Sequence, residues 1–267
     1  EVRKAGLGLL MGKVGPKKAV AVIEDAAVPV DKLHSYYHEV KALMQSYDVD
    51  AVYYGHASVG LIHIRPILDL SKRRDQKIMQ SIAKEVSRIV KKYHGSLSGE
   101  HGDGRVRAPF LKEQFGKVVY QYFVDLKHTF DPNNLFNPGV ILSDKSILEN
   151  LRPVVEQQEL ITAFNWKSDL SFYYAAEKCS GAGVCRKSTG GIMCPSYRAT
   201  RSEEFSTRGR ANLLRKALSS EDPIKSLKNS ELKEALDLCL SCKACKNECP
   251  ANVDMARLKS EYLFQIK

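Results

Sequence analysis

All seven cysteines of this 267-residue chain lie between Cys179 and Cys249, and the preceding 178 residues contain none. The later group reads Cys239-Leu-Ser-Cys242-Lys-Ala-Cys245-Lys-Asn-Glu-Cys249-Pro250. Steps of three in a tight turn aim successive sulfurs into one hollow. The cysteine before proline points away and, in chains with two iron–sulfur clusters, serves the other cluster. Zinc sites pair one C-x2-C with a distant second pair, which is not this spacing. A segment of this kind folds around inorganic clusters, with short helices between the ligand loops.

The earlier group fits the same template with one gap. Cys179 and Cys185 match the outer two ligands, Ala182 occupies the middle position, and Cys194-Pro195 follows after "RKSTGGIM". Crossed ligation then predicts two sites. Cys194, Cys239, Cys242 and Cys245 make a four-cysteine [4Fe-4S] site. Cys179, Cys185 and Cys249 make a three-cysteine site holding [3Fe-4S], or [4Fe-4S] with one iron bound by something other than cysteine. Residues 186–216 carry eight Lys/Arg against two Asp/Glu. Such a basic sheath offsets the negative charge of thiolate-bound clusters, and Arg208 and Arg210 are the candidates for it.

Clustered cysteines argue for metal ligation in a reducing compartment, since secreted disulfide scaffolds spread theirs. The expected location is cytoplasmic, or peripheral at the inner face of the membrane. No apolar run approaches the roughly 18 residues of a membrane span. The net charge of +10 comes without any nucleic-acid-binding motif, so no nucleic-acid partner is expected. The opening "EVRKAGLGLL" has no leader pattern and enters mid-domain, so a fragment of a larger protein is expected.

Composition shifts near residue 145. Before it, "KAVAVIED" (18–25) reads as a strand and 30–47 as a helix capped by Asp31. Residues 50–68 read as β structure broken by Gly55 and Gly60, 69–95 as an amphipathic helix, and the region near 116–130 as another helix. This alternation predicts an α+β fold of ferredoxin-like type for 1–145. Residues 146–176 read as a connector, and 177–267 as an all-α, ferredoxin-type two-cluster domain with helices at 206–218, 229–238 and 254–264.

His56 and His63 lie seven apart, on opposite faces of a regular strand. They converge only if the chain turns between them, which Gly60 permits. "SGEHGDGR" adds Glu100 and His101 in a glycine-rich loop. Two histidines and a carboxylate form a first-row metal set with open positions, and His101 remains as a general base. The bland alternative is two core histidines and a surface Glu-His.

"YYGHASVGLIHIRPILDL", "SGEHGDGRVRAPFLKEQFG" and "FDPNNLFNPGVIL" together resemble the C-terminal half of the FAD-linked oxidases, the family of D-lactate dehydrogenases, glycolate oxidase and D-2-hydroxyglutarate dehydrogenase. "EKCSGAGVCRKSTGGIMCPSYRATR" resembles the iron–sulfur half of its fused members. The resemblance implies a divalent ion, zinc or manganese, on His56, His63 and Glu100. It implies His101 as the base taking the hydroxyl proton of a small 2-hydroxy acid, and Asn137 near the FAD. Electrons would pass through the clusters to a quinone or a carrier protein. It also implies an FAD-binding domain upstream, outside this chain. Many relatives carry an acidic residue and an asparagine between the two histidines, where this chain has "ASVGLI". The competing reading is a non-catalytic iron–sulfur electron-transfer or docking module, which needs the cysteines but not the histidines.

Overall fold

The structure, a computed structural model, describes residues 14–151 and 158–267. They form two compact units, one from Lys18 onward through the first described stretch, the other comprising 158–267 with 14–17. Both helix and antiparallel sheet occur in the first, so the chain is α+β. Among the described residues, no helix is long and apolar enough to cross a membrane.

The first unit is built on a hairpin. Strands β2 (Ala51–His56) and β3 (Leu61–Leu68) pair antiparallel, with His56 opposite Leu61 and Tyr54 opposite His63. A 3-10 turn (Ala57–Val59) joins them and ends at Gly60 in the left-handed region, φ 72°. A Cβ at Gly60 would sit 1.8 Å from the Val28 carbonyl oxygen, so both the turn and the packing beneath it require glycine. The turn puts His56 and His63 on one face as diagonal neighbours, as the sequence required for them to meet.

β1 (Lys18–Ala19) completes the sheet in the order β1-β3-β2. It is far shorter than the strand expected over 18–25. Beyond Ala19 the chain keeps only isolated bridges, Ile23 to Ile64 and Ala27 to Leu61, because Glu24 and Asp25 leave the ladder to serve the site described below.

Helices α1 (Leu33–Ser46) and α2 (Arg73–Lys92) cover the sheet. Tyr36, Val40 and Met44 from α1 meet Met79, Ile82, Val86 and Val90 from α2 in one core with Ile64 and Leu68. Each large side chain buried there contributes about 1.5–3 kcal/mol. Asp31 does not cap α1. It lies inside a preceding 3-10 turn (Val30–Lys32) and pairs with Lys32 at 2.9 Å. Helix α3 runs from Ala108 to Phe130, longer than the helix expected near 116–130, with non-helical backbone at Gly116 (φ 80°, ψ 164°) dividing it.

Among its described residues the second unit is helical: α4 (Phe172–Glu177), α5 (Pro195–Thr200), α6 (Thr207–Leu218), α7 (Pro223–Leu227), α8 (Ser230–Asp237), α9 (Ala244–Glu248) and α10 (Met255–Gln265). Side chains of Ser171, Ser206, Asp222, Asn229 and Asp254 cap five of these helices by accepting first-turn N–H groups, each worth about 1 kcal/mol. The core gathers Trp166, Phe172, Leu214, Leu227, Leu236 and Tyr262. Within the stretch 146–176, Ile147 belongs to the first core, whereas Trp166 and Phe172 belong to the second.

Candidate functional site

The hairpin and the glycine-rich loop after α2 bring three imidazoles to one carboxylate oxygen. Glu100 Oε1 lies 3.2 Å from His56 Nε2, 3.1 Å from His63 Nε2 and 3.3 Å from His101 Nε2. The rings of His63 and His101 stack, with centroids 5.2 Å apart and planes 13° apart.

Asp25 organises the loop that carries Glu100 and His101. Its carboxylate accepts the Ser98 hydroxyl at 2.6 Å, the His101 N–H at 2.8 Å and the Glu100 N–H at 3.2 Å. Burial pushes its pKa up. The Ser98 hydroxyl, the His101 and Glu100 amides and the nearby His101 ring outweigh that and hold it below the usual range. Glu24 does the corresponding work for the rings. Its Oε1 accepts from His101 Nδ1 at 2.9 Å, its Oε2 from Arg65 at 3.1 Å, and its backbone carbonyl from His63 Nδ1.

These bonds decide tautomers. With Nδ1–H committed to Glu24, the neutral rings of His63 and His101 present an Nε2 lone pair toward an anionic oxygen. Lone pair facing lone pair at about 3.1–3.3 Å is repulsive unless a proton or a metal ion lies between them. Two ligands about 2.1 Å from one ion and at right angles are about 3 Å apart, the spacing found here. The charges agree. Glu24 has Arg65 at 3.1 Å and Asp25 has Arg107 at 3.7 Å, while the partners of Glu100 Oε1 are histidine nitrogens. The donor set therefore fits a divalent ion.

Asp25, His63, Glu100 and His101 offer ligand atoms all within 4.8 Å of one another. The Asp25 oxygens are already used by the loop, which leaves His56, His63 and Glu100 as the better donors, with the more exposed His101 ring beside them. His63 is 1% exposed, His56 24% and His101 45% in their side chains, so the site has a closed floor and an open rim. Asn137 is placed elsewhere. It is exposed and lines a surface cavity of about 340 Å³ with Arg105 and Lys145.

In the second unit all seven cysteines are free thiols. Cys194, Cys239, Cys242 and Cys245 line one small cavity with Thr207 and Arg210. The Cys239–Cys245 loop coils through left-handed backbone at Ser241 (φ 51°) and Lys243 (φ 62°). Burial drives the Cys245 thiol up to about 11, opposed by the Met255 N–H and reinforced by the Cys239 and Cys242 sulfurs. Cys179 is raised by burial, opposed by the Gly181 N–H, with the Cys249 and Cys185 sulfurs adding to the rise. All three belong to or pack against the core of the second unit. Crowded buried thiols of this kind become thiolates only against metal ions, which fits clusters at both groups.

Cys194 differs from the other two. Burial pushes it up, but the Ser196 hydroxyl, the Tyr197 N–H and Arg210 more than offset this and lower its pKa. Glu248 holds the chain leading into Cys194, accepting the Ile192 N–H at 2.7 Å and the Met193 N–H at 3.2 Å. Sequence reasoning missed Glu24, Asp25, Arg65, Arg107 and Glu248. The one local signal was adjacent acids, "ED", ending an otherwise apolar run.

Residues 1–141 match the family model of the FAD linked oxidases, C-terminal domain. The chain belongs to the FAD linked oxidase family. Residues 175–253 of this oxidase chain match the 4Fe-4S dicluster domain, so FAD and iron–sulfur clusters are the cofactors that go with its two parts. The chain is similar to D-2-hydroxyglutarate dehydrogenase of Haemophilus influenzae, 29% identical over 98% of this chain and 29% of that protein. It is likewise 30% identical to D-2-hydroxyglutarate dehydrogenase of Escherichia coli, over 98% of this chain and 29% of that protein. Glycolate oxidase subunit GlcD of Bacillus subtilis is 27% identical over 52% of this oxidase chain and 29% of its own length. The chain thus spans about three-tenths of the curated relatives it matches.

Proposed function

We propose that the protein carrying this chain oxidises a D-2-hydroxy acid of the D-2-hydroxyglutarate, D-lactate or glycolate class to the 2-oxo acid, with FAD as hydride acceptor and the clusters as the electron path onward. The convergence of three imidazole Nε2 atoms on Glu100 carries this reading. A non-catalytic electron-transfer module would not need it.

In this proposal His56, His63 and Glu100 hold a zinc or manganese ion, which when bound supplies Lewis acidity toward the carboxylate and hydroxyl of the substrate. The 45%-exposed His101 ring accepts the hydroxyl proton at Nε2. Its Nδ1–H stays on Glu24, which favours the imidazolium that results. Asp25 fixes the loop so that His101 and Glu100 keep their spacing. His63, 1% exposed at the closed floor, is held by the Glu24 carbonyl and positions the ion. Asn137, on its own cavity, faces the flavin-bearing part of the parent protein.

Cys194, Cys239, Cys242 and Cys245 hold a [4Fe-4S] cluster; Cys179, Cys185 and Cys249 hold a [3Fe-4S] cluster or a [4Fe-4S] cluster with a non-cysteine ligand. A quinone or a carrier protein takes the electrons, in the cytoplasm or at the inner face of the membrane. The proposal assigns 1–145 to the substrate and metal domain, of ferredoxin-like type, 146–176 to the connector, and 177–267 to the ferredoxin-type cluster domain. Packing of α1 and α2 on the antiparallel sheet supports the first assignment.

The test is metal analysis joined to dye reduction with D-2-hydroxy acids in the full-length protein. One divalent ion besides iron, lost in His56→Ala, and activity abolished in His101→Ala with FAD retained, are the expected results. Full activity in His101→Ala removes the assigned base.

A further inference from the structure

Among the described residues Arg210 is the largest fully buried side chain, at 0% exposure. A buried guanidinium cannot lose its proton, so it needs an anion nearby or its desolvation is uncompensated. None of the carboxylates among the described residues lies within ion-pair distance of it. Its three nitrogens are all used: Nε donates to the Ala235 carbonyl at 2.5 Å, Nη2 to the Ser196 hydroxyl at 2.8 Å, and Nη1 to Cys194 Sγ at 3.5 Å. Two of these partners are neutral. The remaining one is a cysteine, and it is anionic only as a thiolate.

The neighbouring Arg208 is a useful contrast. Its guanidinium is clamped on Glu203 by bonds of 2.7 and 3.0 Å, and Glu203 also takes Arg186 at 2.9 Å. The positive charge beside Cys179 and Cys185 is therefore already paired, while that beside Cys194 is not.

We infer that Arg210 is the dedicated counter-charge of the Cys194, Cys239, Cys242 and Cys245 site, and that it raises the reduction potential of the cluster there. Reduction adds negative charge, and a fixed, dehydrated cation bonded to a ligand sulfur favours the more negative state. Arg208, neutralised by Glu203, has a weaker effect on the three-cysteine site. The inference rests on the cluster assignment proposed above.

The experiment is an anaerobic, EPR-monitored redox titration of the purified protein, with iron and sulfide counted first. Arg210→Gln, which keeps the fork-like polar shape but not the charge, shifts the four-cysteine cluster to lower potential and moves the other cluster less. Arg210→Lys restores part of the shift, and Arg208→Gln moves the four-cysteine cluster less than Arg210→Gln does. Should Arg210→Gln fail to assemble the cluster, assembly in Arg210→Lys supports the charge role. An unmoved potential in loaded Arg210→Gln overturns the inference, as does loss of the cluster in both the Gln and Lys variants, since shape and not charge would then matter. A wild-type protein without iron and sulfide would instead sink the cluster assignment itself.

Discussion

Replacing Glu24 by glutamine removes one negative charge from a site where it does two jobs. Glu24 is 7% exposed and Arg65 8% exposed, so their 3.1 Å contact lies out of water, as does much of the 2.9 Å bond to His101 Nδ1. Charge-assisted hydrogen bonds contribute about 1.5–3 kcal/mol each against about 1 kcal/mol for neutral ones. Glutamine keeps the shape and one acceptor, so the loss is about 1–2 kcal/mol per bond, plus the cost of a buried Arg65 without its anion. The expected total is about 3 kcal/mol, or roughly 10 °C in the melting of the first unit. Because the Glu24 carboxylate also lies 3.8 Å from Nδ1 of His63, which the proposal makes an ion ligand, affinity for the divalent ion should fall about 10–100-fold. Denaturant unfolding and metal titration of Glu24→Gln, Arg65→Met and the double variant read both effects, the cycle isolating the pair. A Glu24→Gln protein within about 0.5 kcal/mol of wild type, with unchanged metal affinity, would refute both assignments.

Tyr36 is fully buried and its hydroxyl has no hydrogen-bond partner among the described residues; burial alone pushes its pKa well above the usual value. Tyr36→Phe should stabilise the first unit by about 1 kcal/mol, and a destabilised variant in chemical denaturation would show an overlooked partner. Glu261, 0% exposed, accepts N–H bonds from Ala163, Phe164 and the Trp166 indole at 3.0–3.1 Å. Glu261→Ala should cost about 3 kcal/mol by orphaning those donors, read as earlier melting of the second unit by near-UV dichroism of its single tryptophan. Partial burial raises the Glu39 carboxyl, but the Lys92 ammonium and the Tyr93 hydroxyl outweigh it and hold its pKa below the usual value. A depressed folded value means stability present above the ordinary glutamate range and lost as pH falls through the folded value. Screening limits it to about 0.5 kcal/mol, and Glu39→Gln should flatten that acid limb of the melting curve.

Residues acting through local spacing were legible in the sequence. The steps of three in Cys239–Cys245 place three of the proposed ligands, with Cys194, around one cavity. His56 and His63 are joined by a turn whose glycine is visible in sequence. Glu24 and Asp25 were not legible, because they act on residues about 75 positions away and leave the strand pattern that surrounds them. The start of α3 was hidden for a different reason: Gly116 interrupts the helical periodicity at a point where the backbone itself breaks. Arg208 and Arg210 look alike in "STRGR". Two positions on a helix differ by about 200° around its axis, so one side chain is 24% exposed on a glutamate and the other is fully buried on a cysteine.

That separation also bears on the net charge of +10. A surplus of lysine and arginine can mark a nucleic-acid surface, but such a surface needs cations at the exterior, free to meet phosphates. Residues 186–216 hold eight cations against two acids, more than half of the whole surplus. Within that segment Arg210 is buried on Cys194, Arg208 and Arg186 share Glu203, and Arg198 donates to the Gly190 and Met193 carbonyls of the loop before Cys194. Of these, Arg210 is fully buried on a sulfur, whereas Arg186 stays 47% exposed on Glu203. The formal charge counts cysteines as neutral, and every thiolate held by a cluster draws on it. Part of the basic balance of this segment is thus engaged with the loops that carry the cysteines.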